Sequence, residues 1–501
     1  MAILVICTIL ALLTSLVKTQ SADMFISVNP NTNMLIDVMG RERIFHGTNV
    51  VVKGEPFYPH GDDGPDSFTE DDMKLLQSLG LNTVRLGMMM PGYVPQRGEY
   101  NETYIETIGT IVKLAAKYGI YTLLDMHQDV FSPKLCVEGM PDWIVNTGDA
   151  KPFPYPLSEE PYKINPETGY PYPEDCAKLP WGNYYFAEAS GQAFQNLYSN
   201  VDLNNPSFPY ISDSDTLCQF HQLHQNLFTP WEKGTLYHSK PSRCRDHTSR
   251  HIFLFRNPLL LVPGIADKLN LEPAYDVLQK AIRQVDDQHA IFFEGVTWDF
   301  FEVGFSKVPG GAEYQNRSVL SYHYYEPPDF SKTLSFAARM NDLKRLKCGG
   351  FLTEMLVVDE GFDAMYEMFD LADKYKQSWQ GWDYHRPPNA KNNQKWKGTV
   401  PNHIVVQNTS RTYPQAVAGN IQIYHFNKDT KEFSLSYRIN PDCKSTLTEI
   451  YFNKEMHYPN GYQYSVSSNV HFSEQDYRII LSHIPAYFSP GDLIEFSISP
   501  K

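Results

Sequence analysis

After about Thr19, no apolar run in the 501-residue chain is long enough to cross a bilayer, so the mature protein is expected to need no membrane anchor. Positive charge is also short. The 43 Lys and Arg residues face 58 Asp and Glu, a formal net charge of −15, and no basic patch is evident. Nucleic acid and anionic lipid headgroups are thereby excluded as partners, because nothing would neutralise their phosphates; a neutral partner is expected. Cysteine is sparse, and no Cys/His spacing fits a zinc site.

The apolar run at the start, Ile3 to Leu13, is too short to span a membrane and too apolar for an ordinary amino terminus. Residues 1–19 read as a cleaved secretory signal, which puts the mature chain in a secreted or lumenal compartment. Of seven cysteines, Cys7 lies in that signal, leaving Cys136, Cys176, Cys218, Cys244, Cys348 and Cys443, an even number in an oxidising compartment. Their pairing is not readable. Cys136 with Cys176 is the first expectation, since the two bracket much of a Pro- and Tyr-rich insertion between Phe131 and Pro180, of the kind that caps a binding cleft. Asn101, Asn316 and Asn408 open glycosylation triplets consistent with secretion.

At 42% hydrophobic the chain can bury a large core, and its length suggests two domains. From Arg43 onward short apolar runs alternate with helical patterns, the signature of βα units. Strands are predicted at Ile44 to Val50, Asn82 to Gly87, Ile120 to Asp125, Ala290 to Glu294, Val319 to His323, the run through Gly349 to Glu354, and Ser378 to Trp382. That is nearly an eightfold count. After Gly419 the pattern turns to period two, with runs such as Ile421 to Phe426, Tyr464 to Phe472 and Leu493 to Ile498, which suggests a small antiparallel sandwich. The expected architecture is α/β: a (β/α)8 TIM barrel over residues 20–418, then an antiparallel β-sandwich over 419–501.

Arg85, His127, His323, Tyr325, Glu354 and Trp382 all fall at carboxyl ends of different predicted strands, which in such a barrel means one shared pocket. The set resembles that of glycoside hydrolase family 5: an Arg after strand two, Asp-x-His after strand three, His-x-Tyr after strand six, a Glu after strand seven and a Trp after strand eight. More narrowly, the runs His46 to Lys53, Asp125 to Asp129, Phe293 to Trp298 and Tyr413 to Ala416 resemble endoglycoceramidases. The resemblance implies a retaining endo-β-glycosidase that separates oligosaccharide from ceramide in a glycosphingolipid, with possible transient contact at a membrane surface or lipid micelle and no metal or organic cofactor. It makes Glu354 the nucleophile, Arg85 the charge that keeps it ionised, and His323 or Tyr325 the groups that orient it. Lys53, Asp125, His127 and Asp129 are suited to sugar hydroxyls, and Trp382 to stacking under a pyranose. An Arg–Glu pair is also a common buried ion pair, and Trp382 could equally be a core aromatic.

One part of the family pattern is missing. The acid/base is expected as the Glu of an Asn-Glu-Pro triplet after strand four, and no such triplet occurs between Leu203 and Arg256, where the composition also shifts. The run His251 to Phe255 could serve as that strand, but it leads into Arg256-Asn257-Pro258. An altered reading frame or exon over residues 203–256 would explain the loss, since both flanks resume the pattern. The acid/base is therefore unknown. Glu294 is the other acid at a predicted strand end on that side. Two alternatives follow: a β-glucanase or β-mannanase with the same pocket but an open cleft, and a catalytically impaired glycolipid-binding variant. Met88 to Tyr93, flexible and apolar after strand two, favours a lipid over a glucan.

Overall fold

The computed structural model describes residues 25–62, 66–199, 235–239, 262–295, 301–326, 329–355, 357, 362–386, 400–401 and 403–501. The expected signal, Cys218 and Cys244 lie outside them. Three short strands come first: β1 (Ile26–Asn29), β2 (Met34–Asp37) and β3 (Glu42–Arg43). Eight parallel strands follow: β4 (His46–Val50), β5 (Thr83–Met88), β6 (Tyr121–Met126), β7 (Thr235–Ser239), β8 (Ile291–Glu294), β9 (Ser318–Tyr324), β10 (Gly349–Met355) and β11 (Ser378–Gly381). They close into a barrel as β11 pairs with β4. Every residue of β5, β6 and β10 is buried, as parallel strands covered on both faces require.

Local chemistry sets the helix boundaries between these strands. The Asp72 carboxylate accepts from both the Thr69 N–H and the Thr69 hydroxyl at the start of the helix Glu70–Ser78. Asn101, the first residue of a glycosylation triplet, caps the helix Glu102–Lys117 by accepting from the Tyr104 N–H at 3.2 Å.

Strand four corrects the expectation for the atypical segment. It is Thr235–Ser239, paired with β6 on one side and β8 on the other, and the alternative run 251–255 lies outside the described residues. Its polar sequence, Thr-Leu-Tyr-His-Ser, hid it among runs with stronger apolar character.

The domain boundary at 419 also needs correcting. A seven-stranded sheet runs β1, β2, β3, then Tyr413–Val417, Leu447–Tyr451, Arg478–His483 and Val470–Gln475. A four-stranded sheet of Asn420–Phe426, Phe433–Arg438, Leu493–Pro500 and Tyr462–Val466 packs against it. The sandwich thus takes strands from both ends of the chain, and its core joins Met34 and Ile44 to Tyr413, Ile450 and Phe496. The predicted single strand Tyr464 to Phe472 is two, one in each sheet, separated by a turn in which Asn469 takes a φ of 63°.

The β1–β2 hairpin belongs to the barrel as well. Ile26, Val28 and Leu35 pack on Phe45, Phe292 and Phe351 near the amino-terminal ends of the barrel strands, closing that end. A Cβ on Gly349 would come within 3.0 Å of Val28 and 3.1 Å of Leu35, so the glycine admits this plug. The two domains are further bound by Arg411, 1% exposed, which pairs with Asp373 at 2.6 Å and Asp370 at 3.1 Å. The His46 ring stacks between Trp379 and Tyr413, with centroids 4.5 and 3.6 Å away.

Candidate active site

A bulge in β10 sets up the site. Leu352 pairs with Tyr322 and Glu354 with His323, so Thr353 is an extra residue that turns the strand and brings Glu354 level with His323. Thr353 is held on two sides: its hydroxyl bonds the Ser321 hydroxyl, and its carbonyl accepts from Asn49 Nδ2 at 3.0 Å.

Glu354 is 7% exposed and surrounded by donors. Its Oε1 accepts from Arg85 Nη1, its Oε2 accepts from the Tyr325 hydroxyl at 2.8 Å, and His323 Nδ1 lies 3.4 Å from Oε2. Burial, with the Glu354 charge beside it, lifts the Tyr325 phenol well above its ordinary range, so it stays a donor. Arg85, fully buried, donates from Nη1 to Asn49 Oδ1 at 2.8 Å and faces Asp125 Oδ2 through Nη2 at 2.8 Å. Burial opposes its charge, but Asp125, Glu354 and Glu294 outweigh that and hold the guanidinium above its ordinary range. A permanent cation thus sits against the carboxylate.

Asp125 extends the network, since its Oδ2 also meets His127 Nδ1 at 2.8 Å. The His127 ring stacks on Trp382, with centroids 5.3 Å apart and planes 14° apart. Lys53 Nζ lies 5.1 Å from the Trp382 ring centroid and pairs with Asp129, and with Glu138 at 2.9 Å. Every site residue expected from the sequence therefore falls into one connected cluster at the carboxyl edge of the barrel, with Trp382 as one face of it.

Glu294 is brought there too, but behind His323: its Oε1 lies 3.2 Å from Nε2, so the imidazole stands between the two carboxylates. Strand four ends at Ser239, and the sequence that follows reads Lys240-Pro241, with no carboxylate at the strand's end. The residues beyond it lie outside the described set.

Met88, Met89 and Met90 do not form an open lipid-facing stretch. All are buried, Met88 and Met90 in the main core, because the chain turns into the short helix Met90–Tyr93 directly after β5. Met89 alone reaches the site, where it packs with Val51 and Trp382 beside Phe57 and Tyr325. Asn49 and Glu138 were not singled out by sequence reasoning. Asn49 lies within the familial run and directly opposite Arg85 in register, a signal that could have found it. The expected bridge is present, Cys136 to Cys176, with Cα atoms 5.3 Å apart.

Residues 46–154 and 266–387 match the family model for cellulase (glycosyl hydrolase family 5), and residues 411–493 match that of the glycoside hydrolase family 5 C-terminal domain. The endoglycoceramidase of Hydra vulgaris is 57% identical over 494 residues, covering 97% of this chain and 91% of its own length. That of Cyanea nozakii is 51% identical over 524 residues, covering 100% of this chain and 99% of its own. Among solved structures, endo-glycoceramidase II from Rhodococcus sp. as a ganglioside GM3 complex shares the fold with a TM-score of 0.69 at 17% identity, over 93% of this chain and 99% of that one. The same enzyme as a lactosyl-enzyme intermediate gives a TM-score of 0.66 at 18% identity, with the same coverage. With a buried carboxylate braced by Arg, Tyr and His in a closed barrel, and relatives this similar over more than nine-tenths of their length, the chain belongs to the endoglycoceramidases of glycoside hydrolase family 5.

Proposed function

We propose that the chain is a retaining endo-β-glycosidase that hydrolyses the bond between oligosaccharide and ceramide in glycosphingolipids, with Glu354 as nucleophile. The observation that carries this is the bracing of Glu354 by Arg85 and Tyr325, in a chain 57% identical to an endoglycoceramidase. Glu354 attacks the anomeric carbon, the bond to the ceramide oxygen breaks with its electron pair, and that oxygen takes up a proton. Water then displaces Glu354 and loses a proton. Arg85 and Tyr325 hold the carboxylate ionised and aimed. Lys53, Asp125, His127 and Asp129 meet sugar hydroxyls, and Trp382 offers an aromatic face to the ring. The described acids near the site are already engaged: Asp125 with Arg85, Asp129 and Glu138 with Lys53, and Glu294 with His323.

The test is to incubate the full chain with lactosylceramide micelles and to identify the products. Free lactose together with intact ceramide is expected. Cleavage of a soluble β-glucan or β-mannan but not of the glycolipid would make the chain a glucanase or mannanase of the same family. The absence of an Asn-Glu-Pro acid favours a second reading, a glycolipid-binding protein. Glycolipid binding with no turnover, and no reaction with an activated lactoside that needs no acid, would establish it.

A lipid substrate also calls for contact with its membrane or micelle. Phe330 is 65% exposed and Leu334 54%, just before and inside the first turn of the helix Lys332–Leu346, which follows β9 at the carboxyl edge of the barrel. Apolar side chains at that edge suit insertion beside the ceramide. Replacing both by Ser is expected to reduce sedimentation with neutral phosphatidylcholine vesicles severalfold and leave the rate on a soluble aryl lactoside unaltered. Unchanged vesicle binding would remove this contact from the account.

A further inference from the structure

The disulfide-tied insertion is built to deliver one carboxylate, Glu138, to Lys53. Its chain lies alongside the segment leaving β6: the Asp129 N–H donates to the Glu138 carbonyl at 3.3 Å, and the Met140 N–H to the Phe131 carbonyl at 2.5 Å. Between them Gly139 has a φ of 147°, and a Cβ there would come within 3.0 Å of Gln128 Cγ and 3.2 Å of its Cα, so only glycine permits the approach. Two residues before Glu138, Cys136 in the left-handed conformation is bonded to Cys176 across a separation of 40 residues. Leu135, Met140 and Ile144 are buried in the main core, so the loop is anchored on both sides of Glu138.

We propose that Glu138 is a positioning residue of the glycan site, fixing Lys53 and Asp129 where sugar hydroxyls meet them; this rests on reading the cluster as a glycan site. An ammonium on a four-carbon stem is mobile, and two carboxylates against it set its position. Lys53 lies between Asp129 and Glu138 Oε1, over the Trp382 ring. Burial raises Glu138, Lys53 opposes and Asp129 adds to the rise, which leaves the carboxyl at about 7. Among the described residues, the charged groups that act on it are Lys53 from the segment after β4 and Asp129 from the segment after β6, with His127 3.9 Å from Asp129. Below that value Glu138 is neutral and shares a proton with Asp129; above it, both carboxylates hold Lys53. Lactose affinity therefore rises with pH through this range.

Lactose binding to the full chain, measured calorimetrically at about pH 6 and about pH 8, tests this. At the higher pH, Glu138→Gln is expected to raise the Kd about tenfold. It also shrinks the difference between the two pH values. Glu138→Asp, which keeps the charge, recovers part of both effects. A Glu138→Gln Kd within about twofold of wild type overturns the proposal. A wild-type affinity that does not change between the two pH values also overturns it, whether or not the variant folds. If the wild-type chain binds no lactose at all, the glycan-site reading falls and this proposal with it.

Discussion

Replacing Glu354 by Gln is expected to lower the rate of cleavage of a dinitrophenyl β-lactoside by at least about four orders of magnitude. A dinitrophenolate leaves without a proton, so kcat/KM on this substrate, which reports the step that forms the glycosyl-enzyme, depends on the nucleophile and not on a proton donor. Gln fills the same volume and keeps an oxygen toward Arg85, which already has Asp125 and Asn49 as partners, so the fold should persist. Steady-state kinetics of the two proteins with matched thermal unfolding is the check. A loss of less than about tenfold would take the nucleophile's role away from Glu354.

Arg85→Met should have the second large effect, on both stability and rate. Arg85 is wholly buried and holds two carboxylates, Asp125 at 2.8 Å and Glu354. Removing the cation takes its countercharge from two buried carboxylates. Breaking one side of such a pair costs about 3–5 kcal/mol, and this one serves two acids. Denaturant unfolding should show a loss of that order, and the dinitrophenyl lactoside rate should fall about a thousandfold. Arg85→Lys separates the roles. It restores the charge but cannot fork between Glu354, Asn49 and Asp125, so stability should recover more than rate. A stable Arg85→Met protein with a near-normal rate would make Arg85 an ordinary core ion pair.

The barrel was legible because its buried strands are short apolar runs ending in residues that packing does not explain. Arg85 lies within one of them, His323 and Glu354 lie near the ends of two others, and the structure joins all three. The Cys136–Cys176 bridge was legible from the insertion that it brackets. What escaped did so for physical reasons. Strands β1 to β3 are only four, four and two residues long, too short for period two to register, so their part in the sandwich and barrel plug was not seen. Methionines after a strand look the same whether they line a channel or fill a core; the turn into Met90–Tyr93 sends Met88 and Met90 inward. Glu138 carries no signal of its own. Beside that bridge, its place depends on a glycine at positive φ and on backbone bonds to the segment after β6, neither of which a linear pattern expresses.

The measurement that bears most directly on Glu354 is covalent trapping. The full chain would be incubated with the dinitrophenyl glycoside of 2-deoxy-2-fluoro-lactose, digested, and mapped by mass spectrometry. One lactosyl adduct per chain, on Glu354 within the Gly349–Met355 strand, is the expected result. An adduct on Glu294, or a chain that binds lactose and takes up no label, would contradict it.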